Sequence, residues 1–378
     1  MASSESERIA RMRVLFVLPR MLAGGVERAT LNLISGLQRR GVACRLALGR
    51  CRGELLEEAR SLVDVDEVAG CGNGLFVAGL VPVLRRYRPT HVVTAFVDLS
   101  LMTLVACRLT GLPVAVIVGV HGTLRREASA GAWRARVQYM LRRQFAGHVY
   151  RHSAAVVAVS EGVAADVIER YPDLATRLSV IHNPVFREDM PAVGTEPAGR
   201  APPYRLVALG RLAYEKGFDV LIRAMPEVVR HHAAQLLIFG EGTERPRLQR
   251  LIDALELQAQ VRLMGPTLDP MTAMAAADVF VFPSRNEGFG VALVEALACG
   301  RQIVASDCPH GPAEILRNGE YGQLVTPDDP ASLAQAICRS LAGEVIFDPI
   351  RLRARAADFS VRTSVDKYLS LFGRFLHQ

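Results

Sequence analysis

The sequence lacks several features that would assign it to a class at once. Its seven cysteines include no C-x-x-C pair, which argues against a zinc site or a disulfide framework. Its apolar stretches are no longer than a strand, so we expect no membrane span and no secretory signal. It also lacks short repeats and low-complexity tracts. These absences favour a globular cytoplasmic protein, and a length of 378 residues favours two domains.

Lysine is absent from the first 190 residues, where 25 Arg stand against 17 Asp and Glu. The net charge of the whole chain is +7, so the excess of positive charge belongs to this half. A basic half indicates an anionic partner there.

The positive charge is densest between Arg125 and Arg151, where seven Arg accompany one acidic residue. An apolar stripe at helical spacing runs through this segment, formed by Trp133, Val137, Met140 and Leu141. Such a helix could lie on an anionic membrane surface, or it could pack its stripe on the core, and the sequence favours neither. A nucleic-acid partner is not expected because the chain contains no recognised nucleic-acid module.

Apolar strands alternate with amphipathic helices along the whole chain, which predicts an α/β fold with parallel sheets. One series spans residues 1–187 and a second spans 204–358. A segment rich in Pro and Gly, 188–203, reads as a linker. Residues 359–378 have apolar positions at helical spacing and predict a closing helix that packs back toward the first domain. The expected architecture is two Rossmann-like domains facing a cleft.

Ligands of doubly wound sheets bind beyond the carboxyl ends of the strands, so the strand-to-helix loops come first. In "LVALGRLAYEKGFDVLI", Arg211 and Lys216 follow a strand and precede a helix. Together they suit a diphosphate, with a planar fork from Arg and a mobile point charge from Lys. The alternative is two solvated loop charges.

A second loop, "FGEGTE", places Gly240 and Gly242 after a buried strand. It lacks the third Gly of the dinucleotide fingerprint and the acid that should follow it. A dehydrogenase with two α/β domains is therefore the weaker alternative.

The stretch "RNEGFGVALVEALACG" carries two carboxylates, Glu287 before a glycine turn and Glu295 inside an apolar helix. The backbone N–H groups between them form a predicted anion site at a helix N-terminus. A sugar nucleotide, with a polyol at each end and phosphates between, would satisfy both acids and these donors. For Glu295, capping of a neighbouring loop is the alternative. The predicted donor-binding residues in this stretch are Glu287, Gly288, Phe289, Gly290, Val291 and Glu295.

Together these motifs resemble the retaining glycosyltransferases of family four, which have the GT-B fold. The resemblance is carried by "GRLAYEKG" and "EGFGVALVE", and "GGVERATLNL", "AVSEGVAADV" and "IHNPV" fall in the expected order. It covers nearly the whole chain. The branch most similar elongates polyprenyl-diphosphate-linked or cell-surface glycans.

The resemblance implies roles for individual residues. Arg211 and Lys216 would hold the donor diphosphate, Glu287 would contact the transferred sugar, and Glu295 would hold the ribose. His121, in the "HG" that ends a strand, matches a histidine close to the donor sugar. The loop that approaches the phosphates or the acceptor corresponds to Gly24 and Gly25, with Gly25 also counted as donor-binding. The implied catalytic set is His121, Arg211, Lys216 and Glu287.

The implied reaction transfers a hexose or N-acetylhexosamine, with retention, to a hydroxyl of a glycan or a polyprenyl-diphosphate-linked acceptor. A UDP-sugar is the first candidate donor and GDP-mannose the second. No cofactor and no metal are expected, although "DVD" at Asp64 to Asp66 resembles a metal motif of another glycosyltransferase fold. The place of action would be the cytoplasm, or the inner face of the cytoplasmic membrane. A sugar-nucleotide-binding scaffold without catalysis is the alternative of another class.

Overall fold

A computed structural model describes residues 7–68, 74–122, 145–188, 190 and 202–376 of the chain. The protein forms two compact units. The first combines Met1–Pro184 with Val361–Gln378, and the second is Val185–Ser360. Each unit contains one sheet whose neighbouring strands all run parallel.

The first unit has a seven-stranded sheet in the order β3-β2-β1-β4-β5-β6-β7. Its strands are β1 (Arg13–Leu18), β2 (Ala43–Leu48), β3 (Val65–Glu67), β4 (His91–Thr94), β5 (Ala115–Val120), β6 (Ala155–Ala158) and β7 (Leu178–Val180). The chain leaves β1 in one direction for β2 and β3, and later returns to the other side with β4. Such sheets bind ligands beyond the carboxyl ends of the two strands where the order reverses, which are β1 and β4 here.

Helices of the first unit connect these strands. They span Gly25–Arg39, Leu56–Leu62, Gly74–Tyr87, Val97–Thr110, residues 145–152, Glu161–Arg170 and Val361–Gly373, with a short 3-10 turn at Pro172–Leu174. Local chemistry sets several of their ends. Ser160 caps one helix by accepting from the Val163 N–H at 3.1 Å, and Gly111 ends another in the left-handed conformation.

The helix Val361–Gly373 is part of the first unit's core, although it comes last in the chain. It buries Val365, Tyr368 and Phe372 among the side chains of β1 and the helix Gly25–Arg39. At the start of β4, the imidazole Nε2 of His91 lies 3.0 Å from the Phe372 carbonyl oxygen. Burial lowers the pKa of His91 to about 4, so this ring is neutral at physiological pH.

The second unit has a six-stranded sheet in the order β10-β9-β8-β11-β12-β13. The strands are β8 (Tyr204–Leu209), β9 (Ala234–Phe239), β10 (Val261–Gly265), β11 (Val279–Phe282), β12 (Gln302–Ser306) and β13 (Gln323–Val325). Its helices span Phe218–His231, Arg245–Ala254, Pro270–Ala275, Val291–Ala298, Pro312–Ile315, Pro330–Leu341 and Pro349–Ala357, with a 3-10 turn at Tyr214–Lys216. The strand order reverses between β8 and β11.

Three helices of the second unit begin with the same dipeptide, Asp-Pro. The carboxylates of Asp269, Asp329 and Asp348 accept from backbone N–H groups at 3.1, 3.0 and 2.9 Å in the first turn that follows. Proline suits the first helical position because its missing N–H would have no partner there. The starts of these three helices are therefore determined by residues adjacent in the sequence.

The predicted fold class, two Rossmann-like parallel-sheet domains, is confirmed by these two sheets. No helix in the described part of the chain is long and apolar enough to cross a membrane. Most of the Arg125–Arg151 segment, including its apolar stripe, lies outside the described residues, as does most of the predicted linker 188–203.

Candidate active site

Six of the nine predicted donor residues lie in two loops at the carboxyl edge of the second sheet; Val291 and Glu295 belong to the helix that follows, and Gly25 belongs to the first unit. One loop follows β8 and carries Lys216, and the other follows β11 and carries Glu287. Because β8 and β11 are neighbours and the strand order reverses between them, both loops open at the sheet's switch point.

The loop after β8 is held against the end of β11 by a close backbone approach. The 3-10 turn Tyr214–Lys216 ends at Gly217, which has a φ of 63°. A Cβ at Gly217 would lie 2.0 Å from the Pro283 carbonyl oxygen, far inside contact distance. Glycine is required here on both counts, because other residues rarely adopt this φ and none could fit against Pro283.

Lys216 and Glu287 meet in an ion pair. The Lys216 Nζ lies 2.6 Å from the Glu287 Oε1, and the Ser284 hydroxyl donates to the same oxygen at 2.7 Å. The side chains are 22% and 9% exposed, respectively. A carboxylate this buried needs such partners to offset the cost of removing it from water.

Arg211 does not join this pair. Its guanidinium contacts the carboxylate of Glu215, four residues along the chain, and its side chain is 70% exposed. Convergence of Arg211 and Lys216 on one diphosphate stays a prediction.

The glycine turn after Glu287 places the two predicted acids in different environments. Gly290 caps the helix Val291–Ala298 in a left-handed conformation with a φ of 113°. The neighbouring Phe289 is buried and packs edge-on against Phe359, with ring centroids 5.4 Å apart. Glu295 lies within the helix and is 7% exposed, whereas Glu287 lies in the loop before the turn. Their roles toward sugar and ribose stay predictions.

Arg285 and Asp219 belong to this region and were not predicted from the sequence. The Arg285 guanidinium donates to both Asp219 carboxylate oxygens, at 2.8 and 3.0 Å. Burial alone would raise the pKa of Asp219, but the hydrogen bonds and charge of Arg285, with the charge of Arg247, hold it below its ordinary value. Although Arg285 opens the stretch "RNEGFG", nothing in the sequence identifies a partner 66 residues away.

His121 lies in the first unit, directly after β5. It borders a cavity of about 30 Å³ at the switch point, whose lining includes Leu18, Thr30, Thr94, Asn183 and Tyr368. The imidazole Nδ1 of His121 is buried and has no hydrogen-bond partner among the described residues. Burial lowers the pKa of His121 to about 4, so its ring is neutral at physiological pH.

The predicted phosphate or acceptor loop also lies in the first unit. Gly24 is the N-cap of the helix Gly25–Arg39. A Cβ at Gly24 would lie 2.4 Å from the carboxylate Oε2 of Glu27, so the side chain of Glu27 folds back over the start of the helix. The role of Gly24 and Gly25 toward a ligand stays a prediction.

In the "DVD" segment, Asp64 directly precedes the edge strand β3, and Val65 and Asp66 begin that strand. Asp64 pairs with Arg45 at 2.9 Å, and Asp66 pairs with Arg45 and Arg86. Across the described residues, no group of three or more His, Cys, Asp or Glu side chains could hold a metal ion. Metal independence stays a prediction.

Comparison with known proteins defines the class and then the family. Among solved structures, HepE from Anabaena, determined with UDP and glucose, has 21% sequence identity and a TM-score of 0.80 over 96% of this chain and 99% of that one. The fold is GT-B. Residues 23–188 match the family Glycosyltransferase Family 4, and residues 203–343 match Glycosyl transferases group 1. The chain belongs to glycosyltransferase family four.

Two similar proteins match the chain over different lengths. The lipopolysaccharide core biosynthesis glycosyltransferase LpsD of Rhizobium meliloti is 27% identical over 93% of this chain and 95% of its own length. An exopolysaccharide phosphotransferase of Streptomyces coelicolor is 33% identical over 58% of this chain. That match covers 24% of the Streptomyces protein, so the chain spans about a quarter of that relative's length.

Proposed function

We propose that the protein is a retaining glycosyltransferase that moves a hexose or N-acetylhexosamine from a nucleotide sugar to an acceptor hydroxyl. The observation that carries this proposal is the ion pair of Lys216 and Glu287, 2.6 Å apart at the switch point of the second sheet. An ammonium group and a carboxylate at that edge supply one group for phosphate and one for sugar hydroxyls.

Lys216 acts on the leaving group. As the bond between the anomeric carbon and the diphosphate oxygen breaks, negative charge grows on the diphosphate. A cation already fixed at that point stabilises the charge without reorganising, and low water access strengthens the effect. Glu287 holds the ammonium in the free protein and accepts hydrogen bonds from the sugar in the complex.

The acceptor hydroxyl attacks the same face from which the diphosphate leaves. Its proton passes to the departing phosphate oxygen, and the new glycosidic bond keeps the anomeric configuration. Catalysis then depends on positioning and on charge stabilisation. A neutral His121 ring supplies a hydrogen bond rather than a charge to whatever it contacts.

A UDP-sugar is the first candidate donor, and the HepE complex with UDP and glucose supports this choice through the shared fold. GDP-mannose is the alternative. The acceptor is a glycan or a polyprenyl-diphosphate-linked glycan, and a glycan acceptor agrees with the lipopolysaccharide core biosynthesis named for LpsD. The Arg-rich segment Arg125–Arg151 would hold the enzyme at an anionic membrane surface near that acceptor.

A thermal-shift panel of UDP-, GDP- and ADP-sugars tests the donor site. At a ligand concentration of about 100 Kd, binding adds about 2.7 kcal/mol to the free energy of unfolding. For a unit of this size, that gain raises Tm by roughly 5–10 °C. We expect the shift with a UDP-sugar, and a shift with GDP-mannose alone would select the mannosyltransferase alternative.

The chain supplies a matched control, because its two lysines are Lys216 and Lys367. Lys367 is exposed on the helix Val361–Gly373 of the other unit. Lys216→Ala should abolish the shift and Lys367→Ala should keep it. If no sugar nucleotide raises Tm of the wild type or of Lys367→Ala, the donor site is contradicted. Binding without donor hydrolysis or transfer would identify the non-catalytic scaffold.

A further inference from the structure

We propose that Arg285 is a positioning residue that fixes Lys216 and Glu287 at their contact distance. The inference rests on the proposed function, in which this pair holds the donor. The Arg285 side chain contacts Tyr214 and Asp219, which lie on either side of Lys216 in the chain, and its backbone N–H donates to the carbonyl of Glu215.

The contacts of Arg285 join three segments of the second unit. Its Nη1 donates to the Tyr214 carbonyl at 2.7 Å and to Asp219 at 2.8 Å, while Nη2 donates to Asp219 at 3.0 Å. Its Nε donates to Asp328, beyond β13, at 2.5 Å. Its backbone N–H donates to the Glu215 carbonyl at 2.8 Å. Four side-chain hydrogen bonds and one backbone bond thus tie the loop after β11 to its neighbours.

These bonds act close to the pair. Arg285 lies two residues before Glu287, and Tyr214 lies two residues before Lys216. The guanidinium also stacks on the Tyr214 ring, with its carbon 4.2 Å from the ring centroid. Because each hydrogen-bonded residue is only two positions from a member of the ion pair, the backbone between them has little freedom to move.

Arginine is needed for its shape as well as its charge. The side chain of Arg285 is 10% exposed, and its planar fork meets two carboxylates and a carbonyl from different directions. A lysine ammonium is a single point and cannot reach Tyr214, both oxygens of Asp219 and Asp328 together. Arg285→Lys therefore keeps the charge and loses the alignment.

Amine labelling of the folded protein measures the alignment of Lys216 with Glu287 and does not require sugar transfer. The two lysines give two signals, Lys216 in the ion pair and Lys367 as an exposed internal reference. Brief acylation with an N-hydroxysuccinimide ester, followed by peptide mass spectrometry, gives the ratio of modification at the two sites. In Arg285→Lys we expect the Lys216 to Lys367 ratio to rise about two- to fivefold, because misalignment weakens the Lys216–Glu287 pair by up to about 1 kcal/mol without removing either partner.

Arg247→Lys is the matched control. Arg247 also contacts Asp219, at 3.5 Å, but it pairs more closely with Glu244, at 2.7 Å, which lies outside the Tyr214–Lys216 turn. Its labelling ratio should equal that of the wild type. Should Arg285→Lys fail to fold, Asp328→Asn removes the charged partner of Nε alone and should raise the ratio in the same direction by less.

Kinetics with the nucleotide sugar found to bind supply the second measurement. Misplacing Lys216 relative to Glu287 should lower kcat/KM of Arg285→Lys roughly ten- to hundredfold, with more of the loss in kcat than in KM. Arg247→Lys should stay near wild type. A raised labelling ratio with a lowered kcat supports the proposal.

Two results would overturn it. An unchanged labelling ratio in Arg285→Lys refutes positioning, whatever the activity, and leaves the proposed function standing. A raised ratio with unchanged kcat refutes its importance for the reaction. Failure of the proposed function is distinguishable, since the wild-type protein would then transfer no sugar while the labelling ratios would still report on Arg285.

Discussion

The geometry of the Lys216–Glu287 ion pair leads to separate predictions for stability and for activity. The contact is 2.6 Å long, and the Glu287 side chain is almost fully buried. Removing one partner of a buried pair costs about 3–5 kcal/mol because the other charge is left without compensation. Since Lys216 is partly exposed, water can relieve part of this cost, and we expect about 2 kcal/mol for Lys216→Met or for Glu287→Gln.

The double variant should behave differently from either single one. With both charges replaced by neutral side chains of similar length, no charge remains to be desolvated. We expect the double variant to lose less than about 1 kcal/mol, which corresponds to a coupling energy of at least about 3 kcal/mol in the cycle. Each single variant should lower Tm by roughly 4–8 °C, given the size of this unit.

Urea denaturation of the four proteins measures the cycle, and sugar transfer from the donor measures activity. All three variants should be nearly inactive, including the double variant that regains stability. Stability losses that simply add would refute the ion pair in solution. Near-normal turnover by Lys216→Met would refute the assignment of the site.

Two further predictions concern the first unit. Lowering the pH from 7 to 5 should reduce its free energy of unfolding by about 2 kcal/mol through His91, because the unfolded imidazole takes up a proton below about 6.5 and the folded one only near 4. Urea titrations of wild type and His91→Gln at both pH values check this, and an equal pH dependence in the variant would contradict it. Combining Arg142→Glu with Arg143→Glu should abolish binding to anionic vesicles if the Arg125–Arg151 segment lies on the membrane. Sedimentation with anionic and zwitterionic vesicles measures this, and unchanged binding would favour burial of the apolar stripe.

Much of the fold could be predicted because its signals are local. The β-strands of each unit are short apolar runs, and their helices carry apolar residues at helical spacing. Asp329 and Pro330 illustrate how a helix start depends on adjacent residues alone. The closing helix was also predictable from the spacing of Val365, Tyr368 and Phe372, since all three are buried on one face.

The residues of the candidate site were predictable, but their contacts were not. The motifs assign Lys216 and Glu287 to different parts of a ligand, whereas the structure joins them in an ion pair across 71 positions of the chain. Arg211 was grouped with Lys216, yet it contacts Glu215 instead. Loop conformation decides which charges meet, and periodicity carries no information about it.

By itself, the sequence determined the two α/β halves, the starts and ends of many helices, and the motifs that resemble family four. These follow from backbone preferences and burial patterns that act over a few residues. Only the tertiary structure decided that β8 and β11 lie side by side, and that Arg285 therefore reaches Asp219 and Tyr214 from the neighbouring loop. Strand order brings distant segments within hydrogen-bond distance, and that order depends on the packing of the whole sheet.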